Sequence, residues 1–128
     1  MVDGPVLLLV DAANVVGSRP DGWWRDRADA AARLVARLSA LPRHALRDGR
    51  SVGDVLVVLE GAARAGVPEG RDGDVDVRHA PGSGDDLLAE LAGPGVLLVT
   101  ADRELRSRAQ ARGADVVGPR WLWEWLDG

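Results

Sequence analysis

Residues 6–11 are VLLLVD, five apolar residues followed by an aspartate, and they decide the fold class of this chain. A second run at residues 96–102, VLLVTAD, repeats the arrangement, with Asp102 just beyond the apolar residues. Unbroken apolar runs of this length are typical of strands that are buried on both faces of a parallel sheet. Because ligands bind at the carboxyl ends of such strands, we expect Asp11 and Asp102 to lie at one ligand-binding edge.

The rest of the chain alternates between strand-like and helix-like stretches. We predict strands at about 6–10, 55–59, 75–79, 96–99 and 115–117. We predict helices at about 26–41, which Pro42 would end, and at about 85–92, 102–112 and 119–127. Glycines and prolines in residues 12–25 and 62–74 predict loops. This alternation predicts an α/β fold with a mainly parallel sheet and right-handed crossovers.

Composition limits the classes of protein to consider. A chain of 128 residues with 46% hydrophobic and 28% charged residues is expected to form a single globular domain over 1–128. It has no cysteine, which excludes disulfides and thiolate sites, and no lysine, which excludes a P-loop lysine and a Schiff base. The net charge of −4 argues against a protein that coats nucleic acid through a strongly basic surface.

No segment is predicted to direct the chain to a membrane. The longest apolar run is far shorter than the roughly 20 residues that a spanning helix needs. The first five residues, MVDGP, lack the basic leader of a signal peptide. We therefore expect a cytoplasmic protein with no membrane partner.

A third acidic stretch, GSGDD at residues 82–86, lies between the two runs that end in aspartate. Asp85 and Asp86 follow a glycine-rich turn at the start of a predicted helix. Carboxylates brought to one edge raise each other's pKa, and a divalent cation relieves that repulsion. The pattern predicts a Mg²⁺ or Mn²⁺ site that acts on phosphate, held by Asp11, Asp85, Asp86 and Asp102.

Three short motifs carry a resemblance to a known family. The stretch Val10-Asp11-Ala12-Ala13-Asn14 resembles the opening motif of NYN domains, the branch of the PIN-like nuclease superfamily that includes YacP-like ribonucleases. Gly84-Asp85-Asp86 resembles the family's acidic step at a helix start, and Val99-Thr100-Ala101-Asp102 resembles its strand-to-helix step. The motifs occur in the family's order, over roughly 6–117.

The resemblance implies both a fold and an activity. The fold is a PIN-like, Rossmann-like three-layer α/β/α sandwich. The activity is metal-dependent endoribonuclease hydrolysis of RNA, leaving a 5′-phosphate and a 3′-hydroxyl. Asp11, Asp85 and Asp102 would be the catalytic metal ligands, and Asp86 would support Asp85 or bind a second ion. Asn14 would orient Asp11 or contact substrate.

The chain departs from the family pattern at two positions. Val15 stands where the wider group has an aromatic residue, so no stacking role is expected there. Glu60 ends the second predicted strand where related domains often have aspartate. It is either a fourth carboxylate at the ligand-binding edge or a solvated side chain, and the sequence does not decide between these.

Basic and aromatic residues cluster after the first motif. Arginine beside tryptophan is a common way to hold phosphates and unpaired bases, although such residues also form solvated surfaces. Trp23 and Trp24 lie among arginines in this stretch. The candidate substrate-binding residues are Asn14, Arg19, Arg25, Arg27, Thr100 and Arg103.

The remaining candidates are more open. The C-terminal stretch WLWEWL at 121–126 is predicted to be a helix with Trp121, Leu122, Trp125 and Leu126 packed on the sheet, and any exposed tryptophan would mark a homodimer or protein-partner surface. His44 and His79 are expected to be structural or solvated. The main alternative to a nuclease is a non-catalytic NYN module that binds RNA or protein in an RNA-processing complex.

Overall fold

The computed structural model describes residues 4–40 and 50–127 of the chain. Its strands are β1 Val6–Asp11, β2 Val52–Leu59, β3 Gly70–Asp72, β4 Val75–His79, β5 Val96–Val99 and β6 Asp115–Val117. Its α-helices are α1 Ala12–Gly17, α2 Arg27–Ala40, α3 Gly84–Leu91, α4 Arg103–Ala111 and α5 Pro119–Asp127. Two short 3₁₀ turns lie at Trp23–Arg25 and Gly61–Gly66.

The described strands form one sheet in the order β3-β4-β2-β1-β5-β6. Every neighbouring pair is parallel except β3 and β4, which are antiparallel. β1 lies in the centre, between β2 and β5, so the ends of these three strands are adjacent. The predicted mainly parallel sheet is therefore confirmed.

The alternation of side chains along β1 explains why its sequence is apolar throughout. Leu8 and Val10 point to a core that also contains residues of α1, α2 and α5. Leu9 points to a second core, formed with α3 and α4. Each fully buried aliphatic side chain contributes about 1.5–3 kcal/mol relative to exposure, so helices cover both faces. The result is the three-layer α/β/α arrangement expected for a PIN-like fold.

Three predictions of secondary structure differ from the structure by more than two residues. Residues 12–17, predicted as loop, form α1, a helix too short for apolar periodicity to indicate it. Residues 70–72, also predicted as loop, form the exposed edge strand β3. β2 begins at Val52 rather than near 55, because Gly53 and Asp54 interrupt the apolar pattern without ending the strand.

The first long helix begins where a side chain can cap it. α2 starts at Arg27, and the Asp26 carboxylate accepts the backbone N–H of Asp29 at 3.0 Å, which satisfies a donor of the first turn. Its predicted end at Leu41 and Pro42 lies outside the described residues, as does His44. None of the described helices has the length and apolar character needed to span a bilayer.

Candidate functional site

The carboxyl ends of β1, β2 and β5 bring polar residues together on one side of the sheet. Asp11, Glu60 and Thr100 follow the same alternation as Leu9, Val58 and Leu98, so they face the side covered by α3 and α4. Asp85 in the first turn of α3 and Asp102 at the start of α4 approach the same place. We call the four carboxylates Asp11, Glu60, Asp85 and Asp102 the acidic edge.

Asp11 is the most buried member of the acidic edge, with 5% of its surface exposed. Its Oδ2 accepts the Thr100 hydroxyl at 2.9 Å, and its Oδ1 accepts the backbone N–H of Asn14 at 3.3 Å. Burial raises its pKa from 3.8 to about 6; the two hydrogen bonds oppose that rise, and the charges of Asp85 and Glu60 add to it. Asp11 is thus held as a carboxylate in a position that is unfavourable without a nearby positive charge.

Asn14 and Thr100 tie Asp11 to the β5–α4 connection. The Asn14 Oδ1 accepts the backbone N–H of Ala101 at 2.8 Å. Thr100 has no exposed surface, and its hydroxyl accepts the backbone N–H of Asp102 at 3.2 Å while donating to Asp11. Asn14 was predicted to orient Asp11 or contact substrate, and Thr100 to contact substrate; in the structure, the Thr100 hydroxyl and the Asn14 backbone N–H both donate to Asp11. Their contacts fit a positioning role.

Asp85 and Glu60 meet at the start of α3. The Ser83 hydroxyl caps this helix by accepting the backbone N–H of Asp85 at 3.3 Å, and the Glu60 carboxylate accepts that of Gly84 at 3.0 Å. The pKa of Asp85 is raised, first by partial burial and then by the charges of Asp102 and Glu60. The structure therefore places Glu60, which the sequence left open, at the acidic edge.

Asp102 and Asp86 have different surroundings. Asp102 caps α4, where its Oδ1 accepts the backbone N–H of Leu105 at 3.0 Å, and its side chain is half-buried. Asp86 is exposed and pairs with the Arg108 guanidinium at 3.1 Å. Asp86 was predicted to contribute to metal binding, but in the structure its carboxylate already has a cationic partner.

Within the described residues, the negative charge of the acidic edge is offset only in part, by the charge of Arg108 acting on Asp85. Among the described residues, no arginine forms an ion pair with Asp11, Glu60, Asp85 or Asp102. In the same part of the chain, no three His, Asp or Glu side chains converge closely enough to hold a metal ion directly. Mg²⁺ usually retains several waters and uses one or two carboxylates plus substrate phosphate, and this arrangement fits that mode rather than a closed cage.

The predicted basic contacts divide into two groups. Arg19 pairs with Asp127 at 2.6 Å and lies over the Trp123 ring at 3.9 Å, so its guanidinium is used within the fold. Arg25 and Arg27 are exposed beside the rings of Trp24 and Trp23, at 5.8 and 5.3 Å, and form no ion pair with described residues. Arg103 is exposed at the start of α4.

The C-terminal tryptophans are packed rather than free. Leu122 of α5 is fully buried, and Trp121 stacks on Trp125 with ring centroids 5.8 Å apart. Trp123, which is not among the residues predicted to pack on the sheet, donates its Nε1–H to the Ser18 hydroxyl at 3.0 Å. Trp24 is the large apolar side chain that remains exposed in the described ranges, so a partner surface on α5 stays a prediction.

A cavity of about 610 Å³ borders the acidic edge, and sequence reasoning did not indicate it. Glu60 belongs to both, while Ser83 and Gly82 form the adjoining wall. The opposite wall is formed by α1, α2 and the 3₁₀ turns, which meet only in the folded chain. His79 lies outside it, with its Nε2 2.7 Å from the carbonyl oxygen of Val67, as a structural histidine would.

Comparison with known proteins extends the sequence and structural observations. No protein-family model and no curated protein matches the sequence. The structure is similar to the crystal structure of Rae1 (YacP) from Bacillus subtilis, in its W164L mutant form, with a TM-score of 0.68 and 18% identity. The match covers 95% of this chain and 75% of that one. At this identity the likeness establishes the fold alone. The name YacP is also that of the NYN branch whose motifs this sequence resembles.

Proposed function

We propose that this protein is a metal-dependent endoribonuclease that hydrolyses RNA phosphodiester bonds at the acidic edge. The observation that carries the proposal is the position of Asp11, a buried carboxylate beside Glu60 and Asp85 that has no ion-pair partner in the described part of the chain. A bound Mg²⁺ or Mn²⁺ ion would supply the positive charge that stabilises the Asp11 carboxylate. The three ordered motifs that resemble NYN domains, and the fold shared with Rae1 (YacP), support RNA as the substrate.

Asp11, Asp85 and Asp102 are proposed to hold the ion, either directly or through waters that the ion retains, and Glu60 lies beside them. A divalent ion bound there would lower the pKa of a water molecule and stabilise the charge that develops on phosphate. Thr100 and Asn14 hold Asp11 in one orientation through their hydrogen bonds. Each Asp11 oxygen accepts one bond from the protein and retains a further acceptor position for an ion or its water.

The proposal is tested by two aspartate variants that share a structural role. Asp102 and Asp26 each cap a helix by accepting a backbone N–H at 3.0 Å, but only Asp102 belongs to the acidic edge. Asparagine is also a good N-cap, so Asp102→Asn and Asp26→Asn both retain the cap. Labelled single-stranded and hairpin RNAs would be incubated with each protein in Mn²⁺, Mg²⁺ or EDTA.

We expect the wild type and Asp26→Asn to cleave RNA only when the metal is present, and Asp102→Asn to lose the cleavage. Equal cleavage by all three proteins would contradict the assignment of the acidic edge. The same would hold for cleavage that persists in EDTA.

A non-catalytic module that binds RNA or protein is the second candidate. It is favoured by one observation, that no three acidic side chains converge directly in the described part of the chain. This candidate predicts RNA binding that EDTA does not change, together with no cleavage by any variant.

A further inference from the structure

The cavity beside the acidic edge has walls suited to a flat ring. We call it the Trp23 cavity, because the indole of Trp23 forms one side. Small apolar side chains of the two neighbouring helices complete that part of the wall, namely Ala12, Val16 and Ala31. Its volume of about 610 Å³ lies within the roughly 300–1,000 Å³ typical of small-molecule sites.

Two features hold the walls in place. The Trp23 indole packs over Gly17, since a Cβ at that position would be in ordinary van der Waals contact with the ring, at 3.7 Å. The Gly61–Gly66 turn approaches α2 so closely that a side chain at Gly66 would collide with the carbonyl oxygen of Ala28. These contacts fix the position of the walls, so binding would require little ordering of the protein.

The cations of the cavity have spare donors. Arg27 lies beside the Trp23 ring, and Arg64 donates only to the carbonyl oxygens of Gly61 and Ala80, at 3.2 and 3.4 Å. Neither forms an ion pair with a carboxylate in residues 4–40 and 50–127. Elsewhere on the described surface several arginines are paired, as Arg33 is with Asp29 at 2.9 Å. The cavity thus combines an aromatic wall, two guanidinium groups that form no ion pair with described residues, and the Glu60 carboxylate on the side next to the acidic edge.

We propose that the Trp23 cavity binds one nucleobase of single-stranded RNA, from a nucleotide next to the bond cleaved at the acidic edge. The base stacks on Trp23, and Arg27 and Arg64 contact the phosphates on either side of it. Aromatic stacking together with arginine contacts to phosphate is the general way that unpaired nucleic acid is held. An apolar peptide segment would leave both guanidinium groups without a partner.

This inference rests on the proposed nuclease function for its position relative to cleavage. Glu60 lies in both sites, so a nucleotide in the cavity places its neighbouring phosphate at the acidic edge. A base in a duplex cannot enter the cavity without unpairing. The arrangement therefore makes the protein select unpaired nucleotides at one position.

Trp23 and Trp24 provide a matched pair for the test. They are adjacent in sequence, but Trp23 lines the cavity while Trp24 does not and is 53% exposed. Binding of a fluorescein-labelled ten-nucleotide single-stranded RNA would be measured by anisotropy, with Asp102→Asn as the background to prevent cleavage. We expect Trp23→Ala to raise Kd by about 10- to 100-fold, the range given by loss of one stacked base, and Trp24→Ala by less than twofold.

A second pair keeps the test valid if Trp23→Ala does not fold. Arg27 and Arg33 lie on the same helix and each loses one charge on substitution by glutamine, but only Arg27 lines the cavity. We expect Arg27→Gln to weaken RNA binding several-fold and to reduce its dependence on salt, with a smaller effect for Arg33→Gln. Equal effects within both pairs would overturn the cavity as the site of the base.

Cleavage assays separate this inference from the proposed function. With the active protein, an abasic nucleotide moved along the RNA should reduce cleavage most at one distance from the cut, and Trp23→Ala should remove that dependence. Cleavage that is unchanged in Trp23→Ala would overturn the cavity and leave the nuclease proposal standing. A selective loss of RNA binding in Trp23→Ala without cleavage by any protein would do the reverse.

Discussion

The two ends of helix α1 handle charge in opposite ways. At its N-terminal end, Asp11 and its acidic neighbours form no ion pair with any described residue, and burial raises the pKa of Asp11 to about 6. Beyond its C-terminal end, Arg19 and Arg37 share the single carboxylate of Asp127, at 2.6 and 2.7 Å, and their hydrogen bonds lower the pKa of Asp127. We call the second group, Ser18, Arg19, Arg37, Trp123 and Asp127, the C-terminal clamp.

Charge pairing thus distinguishes the residues that secure α5 from the carboxylates that we propose bind a metal ion. In the C-terminal clamp both arginines form an ion pair with Asp127. Trp123 adds packing against Arg19 and a hydrogen bond to Ser18. At the acidic edge the charges repel each other and favour a bound cation. The same residue types, arginine beside tryptophan, therefore serve the fold near Asp127 and remain open to a ligand near Trp23.

The largest expected effect comes from removing the charge of Asp11. We expect Asp11→Asn to reduce cleavage by about 100- to 1000-fold, as loss of one electrostatic group in an active site does. We expect the metal-free variant to be more stable than the wild type at pH 7.5, by up to about 3 kcal/mol, because its buried site has no charge. Urea denaturation in EDTA measures the change in free energy of unfolding.

The pH dependence fixes the sign of that effect. Because the pKa of folded Asp11 is above its ordinary value of 3.8, the folded wild type binds more protons than the unfolded chain between about pH 4 and 6. The contribution of Asp11 to stability therefore falls as the pH rises through that window, and the advantage of Asp11→Asn should disappear near pH 4. If Asp11→Asn is less stable than the wild type at pH 7.5, the charge of Asp11 does not destabilise the metal-free protein, and the proposed difference between the two ends of α1 is wrong.

A loss of stability is expected when the C-terminal clamp is disrupted, smaller in size than the change expected for Asp11→Asn. Trp123→Ala removes a half-buried ring, its hydrogen bond to Ser18 and its contact with Arg19. We expect the free energy of unfolding to fall by about 2 kcal/mol, with metal-dependent cleavage retained by the folded protein. Trp24→Ala is the control, since an exposed tryptophan should change stability by no more than about 0.5 kcal/mol. Equal losses in the two variants would mean that the clamp does not secure α5.

The smallest effect is expected for the exposed charge of the clamp. The lowered pKa of Asp127 contributes stability above the pKa of the unfolded chain and loses it as the pH falls through the folded pKa. The wild type should therefore melt slightly above Asp127→Asn at pH 7 in low salt, and the two should converge in acid or in 1 M salt. A melting difference that persists in acid would show that the ion pairs are not its cause.

The sequence predicted the central strands and the placing of Asp11, Asp85 and Asp102 beside them because these depend on local pattern, whereas it left Glu60 open. The VLLLVD run needs only its apolar residues to indicate a buried strand, and parallel strands place their final residues together. The partner of Arg19 could not be predicted, since Asp127 lies 108 residues away along the chain. The Trp23 cavity could not be predicted for the same reason, because its walls come from segments that only the folded topology brings together.

The described sheet also ends in a way that limits its growth. β3 and β6 form its two edges, and each has only three residues. β3 carries Arg71, which pairs with Asp54 at 2.7 Å, and β6 begins with Asp115, which pairs with Arg50 at 2.8 Å. Short, charged edge strands offer few backbone groups to a strand from another molecule, so they protect against aggregation by sheet extension. The long apolar strands that build the core are thereby kept inside the sheet, where no other molecule can pair with them.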